Sequence, residues 1–165
     1  MSVYPQAGRY VVVETNGFVP WVIRKATHSW ADHAFITLED GGIIEAMPGG
    51  VRRSHIEKYA GCRMAVNSAE PYGPETANLV MAKAISLVGV QYNDLDILDL
   101  GLESLGIMWK WLAKAAGADG RLICSQAAAL CGQAAHMDWL CGRSSVAEVR
   151  PSDLANRPVV QPYIL

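Results

Sequence analysis

Residues His33 to Gly50 read HAFITLEDGGIIEAMPGG. Two β-prone runs, Ala34 to Leu38 and Ile43 to Ala46, flank the turn signal Asp40-Gly41-Gly42. This is the pattern of a β-hairpin. If the loop runs from Leu38 to Gly42, Thr37 faces Ile43 and Phe35 faces Glu45. His33 and Glu45 then share a face as diagonal neighbours, roughly 7–8 Å apart at the backbone. A slip of one residue puts Glu45 on the other face. A carboxylate inside an apolar strand needs a reason. Its alternative is an edge-strand glutamate facing water. Met47-Pro-Gly-Gly50 ends the unit.

Upstream, Tyr10-Val-Val-Val-Glu14 is apolar and β-rich, which predicts a first strand broken by Thr15-Asn16-Gly17. Phe18 to Lys25 reads as a short helix with Pro20 near its first turn. Thr27 to Asp32 is a polar loop carrying Trp30. Downstream, Val51 to Tyr59 is polar and suggests one helical turn, and Arg63 to Val66 suggests a strand. Pro74 to Val88 is a helix, with proline and Glu75 in its first turn and Gly89 at its stop. Leucines recurring at helical spacing predict a further helical region from Leu95 to Ala116, interrupted at Gly101 and Gly106. Gly117 to Gly120 is a loop. From Cys124 to about His136 alanine dominates, which predicts a helix packed closely on its neighbour. Val146 to Val149 reads as a last strand, followed by a Pro-rich tail. Strands, then helices, then strand, make one α+β domain spanning residues 1–165.

The totals narrow the function. The chain of 165 residues is 51% apolar, so a packed core is expected. A net charge of -2 without a basic stripe gives no support for nucleic-acid binding. No apolar run is long enough to span a bilayer, and the first ten residues do not read as a signal peptide. A cytoplasmic home is the default expectation; a virion or a leaderless export route would fit the same sequence. Four cysteines without a CxxC pair point to reduced thiols rather than a disulfide framework.

Arg121 to Cys131 reads RLICSQAAALC. It puts Cys124 where a helix begins. The first turn of a helix favours a thiolate, and its outward N–H groups suit an oxyanion. Cys131 and Cys141 lack that position, and Cys62 sits in a loop; all three read as structural. The competing reading of Cys124 is a small buried core residue. A nucleophilic cysteine needs a histidine that takes and returns its proton. Of the four histidines, His55 reads as surface, and His136 lies beyond the helix that carries Cys124. His33 opens a strand and is preferred to His28, which sits in a loop. Glu45 is the candidate for the group that orients the imidazole. Tyr10 and Ser125 are candidate oxyanion donors, and Trp30 and Trp21 candidate groove walls. Cys124, Cys131, His136 and Cys141 look loosely like metal ligands, but their spacing fits no compact zinc site, so neither metal nor cofactor is expected.

These pieces together resemble the circularly permuted papain-like cysteine peptidases and amidases. That superfamily includes relatives of the NlpC-type cell-wall hydrolases and of lecithin:retinol acyltransferase, with a YiiX-like branch. VVVETNGFVPWVIR (Val11 to Arg24) is similar to the family's opening strand and helix. SWADHAFI (Ser29 to Ile36) is similar to its histidine segment, and GIIEA (Gly42 to Ala46) to its second hairpin strand, with Glu45 as the polar third member. GVQYND (Gly89 to Asp94) resembles its glycine-aromatic-acid segment. ICSQ (Ile123 to Gln126) resembles the nucleophile segment, although an acid usually stands where Gln126 does. The resemblance implies a central antiparallel sheet with the helix of Cys124 packed on it. It implies a cysteine hydrolase that cleaves an amide, peptide or isopeptide bond through a thioester, a cell-wall peptide among the possible substrates. The alternatives are a lipid acyl hydrolase or transferase, and an inactive module that keeps the groove and binds a partner. For the latter, the apolar tail from Val159 to Leu165 would dock on a neighbour.

Overall fold

The computed structural model describes residues 4–91 and 123–165. The expected helical region from Leu95 to Ala116, the loop after it, and Tyr92-Asn93-Asp94 lie outside them. The architecture is α+β. Strands β1 (Tyr10–Val13), β2 (His33–Thr37), β3 (Gly42–Met47), β4 (Gly50–His55), β5 (Met64–Val66) and β6 (Gln161–Tyr163) form one sheet. Its order is β4-β3-β2-β1-β5-β6, and every neighbouring pair is antiparallel. The helices are α1 (Phe18–Thr27), α2 (Pro74–Ser86), α3 (Cys124–Ala134) and α4 (Pro151–Ala155).

Alternation along the central strands divides the core into two layers. Tyr10, Val12, Ala34, Ile36, Ile44 and Ala46 point to the face covered by α2, α3 and α4. Val11, Val13, Phe35 and Ile43 point to the other, where Ile56 and Tyr59 of a short 3₁₀ turn cover them. Alanine explains how α3 lies so close to β2 and β3: Ala128 and Ala129 are buried with no bulk between helix and sheet. Helix α2 starts on Pro74, where a missing N–H is harmless.

The central hairpin has the register its sequence implies, with Phe35 opposite Glu45 and Thr37 opposite Ile43. Its turn is a 3₁₀ turn, Glu39–Gly41, in which Asp40 and Gly41 take the positive φ that Asp and Gly tolerate.

Three expectations are corrected. Met47 to Gly50 does not end the unit; Gly49 and Gly50, at φ 98° and 118°, turn the chain into β4. Residues Val51 to His55 are therefore strand, and only Ile56–Tyr59 is helical. Exposed Arg52 and Arg53 hid this strand, as charges on a sheet edge do. Val146–Glu148 is a 3₁₀ turn rather than the last strand. The last strand is β6, inside the Pro-rich tail; it pairs with β5 of the same chain. An edge tolerates Pro162 because one side of an edge strand needs no N–H donors.

Candidate functional site

Glu45 stands on β3, an inner strand, with its side chain wholly buried. The solvent-facing alternative is thereby removed. Its carboxylate is surrounded by donors. His33 Nε2 lies 3.3 Å from Oε2, and the Tyr59 hydroxyl donates to the same oxygen at 2.5 Å. Lys58 Nζ donates to Oε1 at 2.6 Å, with Arg52 Nε 3.5 Å away. Burial pushes the Glu45 carboxyl toward its neutral form, but the hydrogen bonds from His33, Lys58 and Tyr59 win and hold it far below the usual carboxylate range. Burial and the Glu45 charge push the Tyr59 phenol well above its usual range, so it remains a donor.

His33 is the first residue of β2, opposite Val13 of β1. Its ring lies on the layer of Phe35 and Tyr59, with centroids 6.3 and 5.9 Å away. Cys124 also lies close enough to act on the ring electrostatically. Cys124 is the first residue of α3, the helix on the opposite layer. The two approach from opposite layers, His33 at the start of its strand and Cys124 at the start of its helix. Burial alone would lower the His33 imidazole, but Cys124 and then Glu45 outweigh it and raise it to about 9. Both His33 and Cys124 are 5% exposed.

The remaining expected residues fall elsewhere. Tyr10 is fully buried, and its hydroxyl donates to the Leu154 carbonyl at 3.2 Å while accepting from Arg157. It pairs with Ile36, three residues along β1 from the partner of His33, about 10 Å away by strand geometry. Its hydroxyl is engaged by the C-terminal segment. The buried Ser125 hydroxyl donates to the Val149 carbonyl at 2.6 Å. Trp21 and Trp30 line a separate groove with Lys25, His28 and Arg63, where the Arg63 guanidinium sits 4.3 Å over Trp30. His28 is the left-handed cap of α1 and is exposed in that groove. His55 accepts from the Glu57 backbone at the start of the 3₁₀ turn. Gln126 has a local job: its Oε1 accepts from the Ile123 N–H at 3.1 Å, and its Nε2 donates to Ala147. It closes the helix start that presents Cys124.

Lys58, Tyr59 and Arg52 were missed. Reading Val51 to His55 as a returning strand would have placed Arg52 opposite Glu45. Asp32, just before His33, is also buried, and it is held by Arg24 at 2.6 Å and by the backbone and hydroxyl of Thr15. This anchors the approach to β2. Beside His33 lies a cleft of about 320 Å³, walled mostly by apolar groups of Pro20, Ile23, Met47, Pro48 and Tyr59. Among the described residues, no three His, Cys, Asp or Glu side chains converge as metal ligands. Among them, too, no helix is long and apolar enough to cross a membrane.

No protein-family model and no curated protein sequence matches the chain. Its structure is similar to the crystal structure of the metalloprotein yiiX from Escherichia coli O157:H7. The TM-score is 0.65 over 96% of each chain, at 17% identity. At that identity the likeness is one of fold.

Proposed function

We propose that the protein is a cysteine hydrolase of permuted papain-like fold, with Cys124 as nucleophile, His33 as base and acid, and Glu45 as the group that orients His33. The observation that carries this reading is a buried His33 that meets Glu45 at 3.3 Å and interacts electrostatically with Cys124, the first residue of α3. The order along the chain, histidine and acid early on a hairpin and cysteine late on a helix, supports the permuted arrangement. Strands from both ends of the chain in one sheet support a single domain.

His33 takes the proton of Cys124, and the sulfur attacks the carbonyl of an amide, peptide or isopeptide. The N–H groups at the start of α3 receive the oxyanion. His33 passes its proton to the departing amine, leaving a thioester. Water then gives a proton to His33 and its oxygen to the acyl carbon; collapse releases the acid and returns the proton to the sulfur. Glu45 stabilises the imidazolium throughout. The raised His33 supports a proton resting on the ring at neutral pH.

A metal such as the one in the name of yiiX does not fit these residues. Cys124, His33 and Glu45 are the nearest donor set, but both oxygens of Glu45 are engaged, and Lys58 and Arg52 would oppose a cation. The burial of both Cys124 and His33 favours a second reading, an inactive module of the same fold.

Thiol alkylation separates them. Burial pushes the Cys131 and Cys141 thiols up to about 12 and 11, so both are poor nucleophiles at pH 6. Under the hydrolase reading, iodoacetamide modifies Cys124 first at pH 6, and His33→Ala slows it at least tenfold. Slow modification at Cys124, indifferent to His33→Ala, would leave the inactive module.

A further inference from the structure

The carboxylate of Glu45 carries more positive partners than orienting a histidine needs. In a Cys–His–acid arrangement, one donor on one oxygen fixes the ring. Here Tyr59 competes with His33 for Oε2, while Lys58 takes Oε1 at 2.6 Å. The His33 contact, at 3.3 Å, is the longest of the three. We propose that Lys58 and Tyr59 are positioning residues that divide the charge of Glu45 with His33 and thereby limit how firmly the imidazole keeps its proton. This rests on the assignment of His33 as the residue that returns a proton to the leaving group. A general acid works best when its proton affinity lies near the working pH. A buried carboxylate given wholly to His33 would hold the imidazolium too tightly to let it act.

The surroundings leave these two residues as the moderators. Facing His33 are Glu45 from β3, Tyr59 from the 3₁₀ turn, Cys124 from α3 and apolar Phe35 from its own strand. Asp32, next in the chain, spends its charge on Arg24 and Thr15. Arg52 of β4 reaches the same Oε1 as Lys58, but at 3.5 Å and with its side chain 53% exposed. Lys58 is closer and less exposed, and Tyr59 is fixed by stacking on Phe35 at 5.2 Å, nearly parallel. The tyrosine ring thus serves packing and its hydroxyl serves Glu45, so the two roles can be cut apart.

The test follows the ring carbon of His33 by NMR in protein carrying ¹³C-labelled histidine, with His33→Gln to assign the signal. Lys58→Met removes the cation, and Tyr59→Phe removes the hydroxyl while keeping the stack. Both should move the His33 titration midpoint upward, Lys58→Met by about half a unit to one unit. Arg52→Met should move it less, and Glu45→Gln should move it down. A midpoint unmoved in Lys58→Met, or one that falls toward the free value of about 6.5 as a loosened, wetted site would give, overturns the proposal. If Tyr59→Phe does not fold, Lys58→Met decides alone. The measurement reads the imidazole itself. An inert Cys124 with an upward shift would sink the hydrolase reading and leave the charge division standing; a reactive Cys124 without the shift would do the reverse.

Discussion

Two buried glutamates of this protein invite comparison. Glu45 receives His33, Tyr59 and Lys58. Glu70 receives Arg157 through both oxygens, Asn67 at 2.7 Å and the Trp139 indole at 2.9 Å. Burial works against ionisation at both, and hydrogen bonds reverse it at both. A tyrosine attends each: Tyr59 donates to Glu45, and Tyr10 shares Arg157 with Glu70. The difference lies in what the acid faces. Around Glu70 nothing can exchange a proton near neutral pH, since guanidinium, amide and indole keep theirs. Glu70 ties the segment after β5 to the segments after α3 and α4, and it is a lock. Around Glu45 an imidazole stands between the acid and a sulfur. A buried carboxylate shows that the fold has invested in a charge; its titratable partner shows whether that charge has chemical use.

The largest expected effects separate the two regions directly. His33→Ala should lower any hydrolytic activity by ~10²–10⁴-fold, the usual worth of a positioned acid–base, while Glu45 keeps Lys58 and Tyr59, so the urea midpoint falls less than in Arg157→Met. Arg157→Met should do the opposite. Glu70 would then be a buried charge without its main partner, which destabilises by about 3–5 kcal/mol. Alkylation of Cys124 in the folded fraction should keep its rate. Urea unfolding and timed iodoacetamide labelling of both variants check this together. If Arg157→Met abolishes labelling of folded protein, the two regions are one site and the comparison breaks.

The sequence made the first region more legible than the second, for a physical reason. His33 and Glu45 lie on one hairpin, and a short turn fixes their register, so local pairing rules suffice to put them together. Cys124 was marked by the start of an alanine-rich helix, a local signal too. Its meeting with His33 depends on how α3 packs across β2, which no local pattern encodes. Arg52 was lost because β4 reads as polar; an edge strand has one face to bury and spends the other on charge, and the place of Lys58 and Tyr59, on the 3₁₀ turn that follows, depends on that strand. The surroundings of Tyr10 were illegible for the converse reason. Its partners, Leu154 and Arg157, come from the far end of the chain. The strand β6 was hidden by its own Pro162.

A smaller effect sharpens the comparison inside a single helix. Gly132 and Cys124 both belong to α3. A Cβ at Gly132 would come within 2.6 Å of the Trp139 ring, whose indole serves Glu70. Gly132→Ala must therefore push Trp139 from its place, and overpacking of this kind costs about 1–3 kcal/mol. Labelling of Cys124 should be unchanged, because the strain enters the lock and not the helix start. Reduced labelling in fully folded Gly132→Ala would mean that α3 transmits the disturbance along its length.

The smallest effect at any one step is pH linkage, which is limited to about 1.4 kcal/mol per pH unit for each group. Glu70 and Glu45 are both depressed in the folded protein. Each contributes stability that is present above the unfolded carboxylate value, near 4.3, and lost as pH falls through the folded one. The acid limb is therefore shared and discriminates nothing. His33 is raised to about 9. Its contribution is complete below the unfolded value, about 6.5, and is lost as pH rises toward 9. Buried Cys131 and Cys141 add a loss of the same sign, but only above the unfolded thiol value of about 8.5. Between pH 6.5 and about 8 the decline belongs to the His33 region alone. Urea midpoints at pH 6, 7 and 8 should fall in wild type and stay level in His33→Gln. In Glu70→Gln they should start lower and fall with the wild-type slope. A slope that survives in His33→Gln would place the titrating group outside the Cys124–His33–Glu45 region, and with it the contrast between the two glutamates.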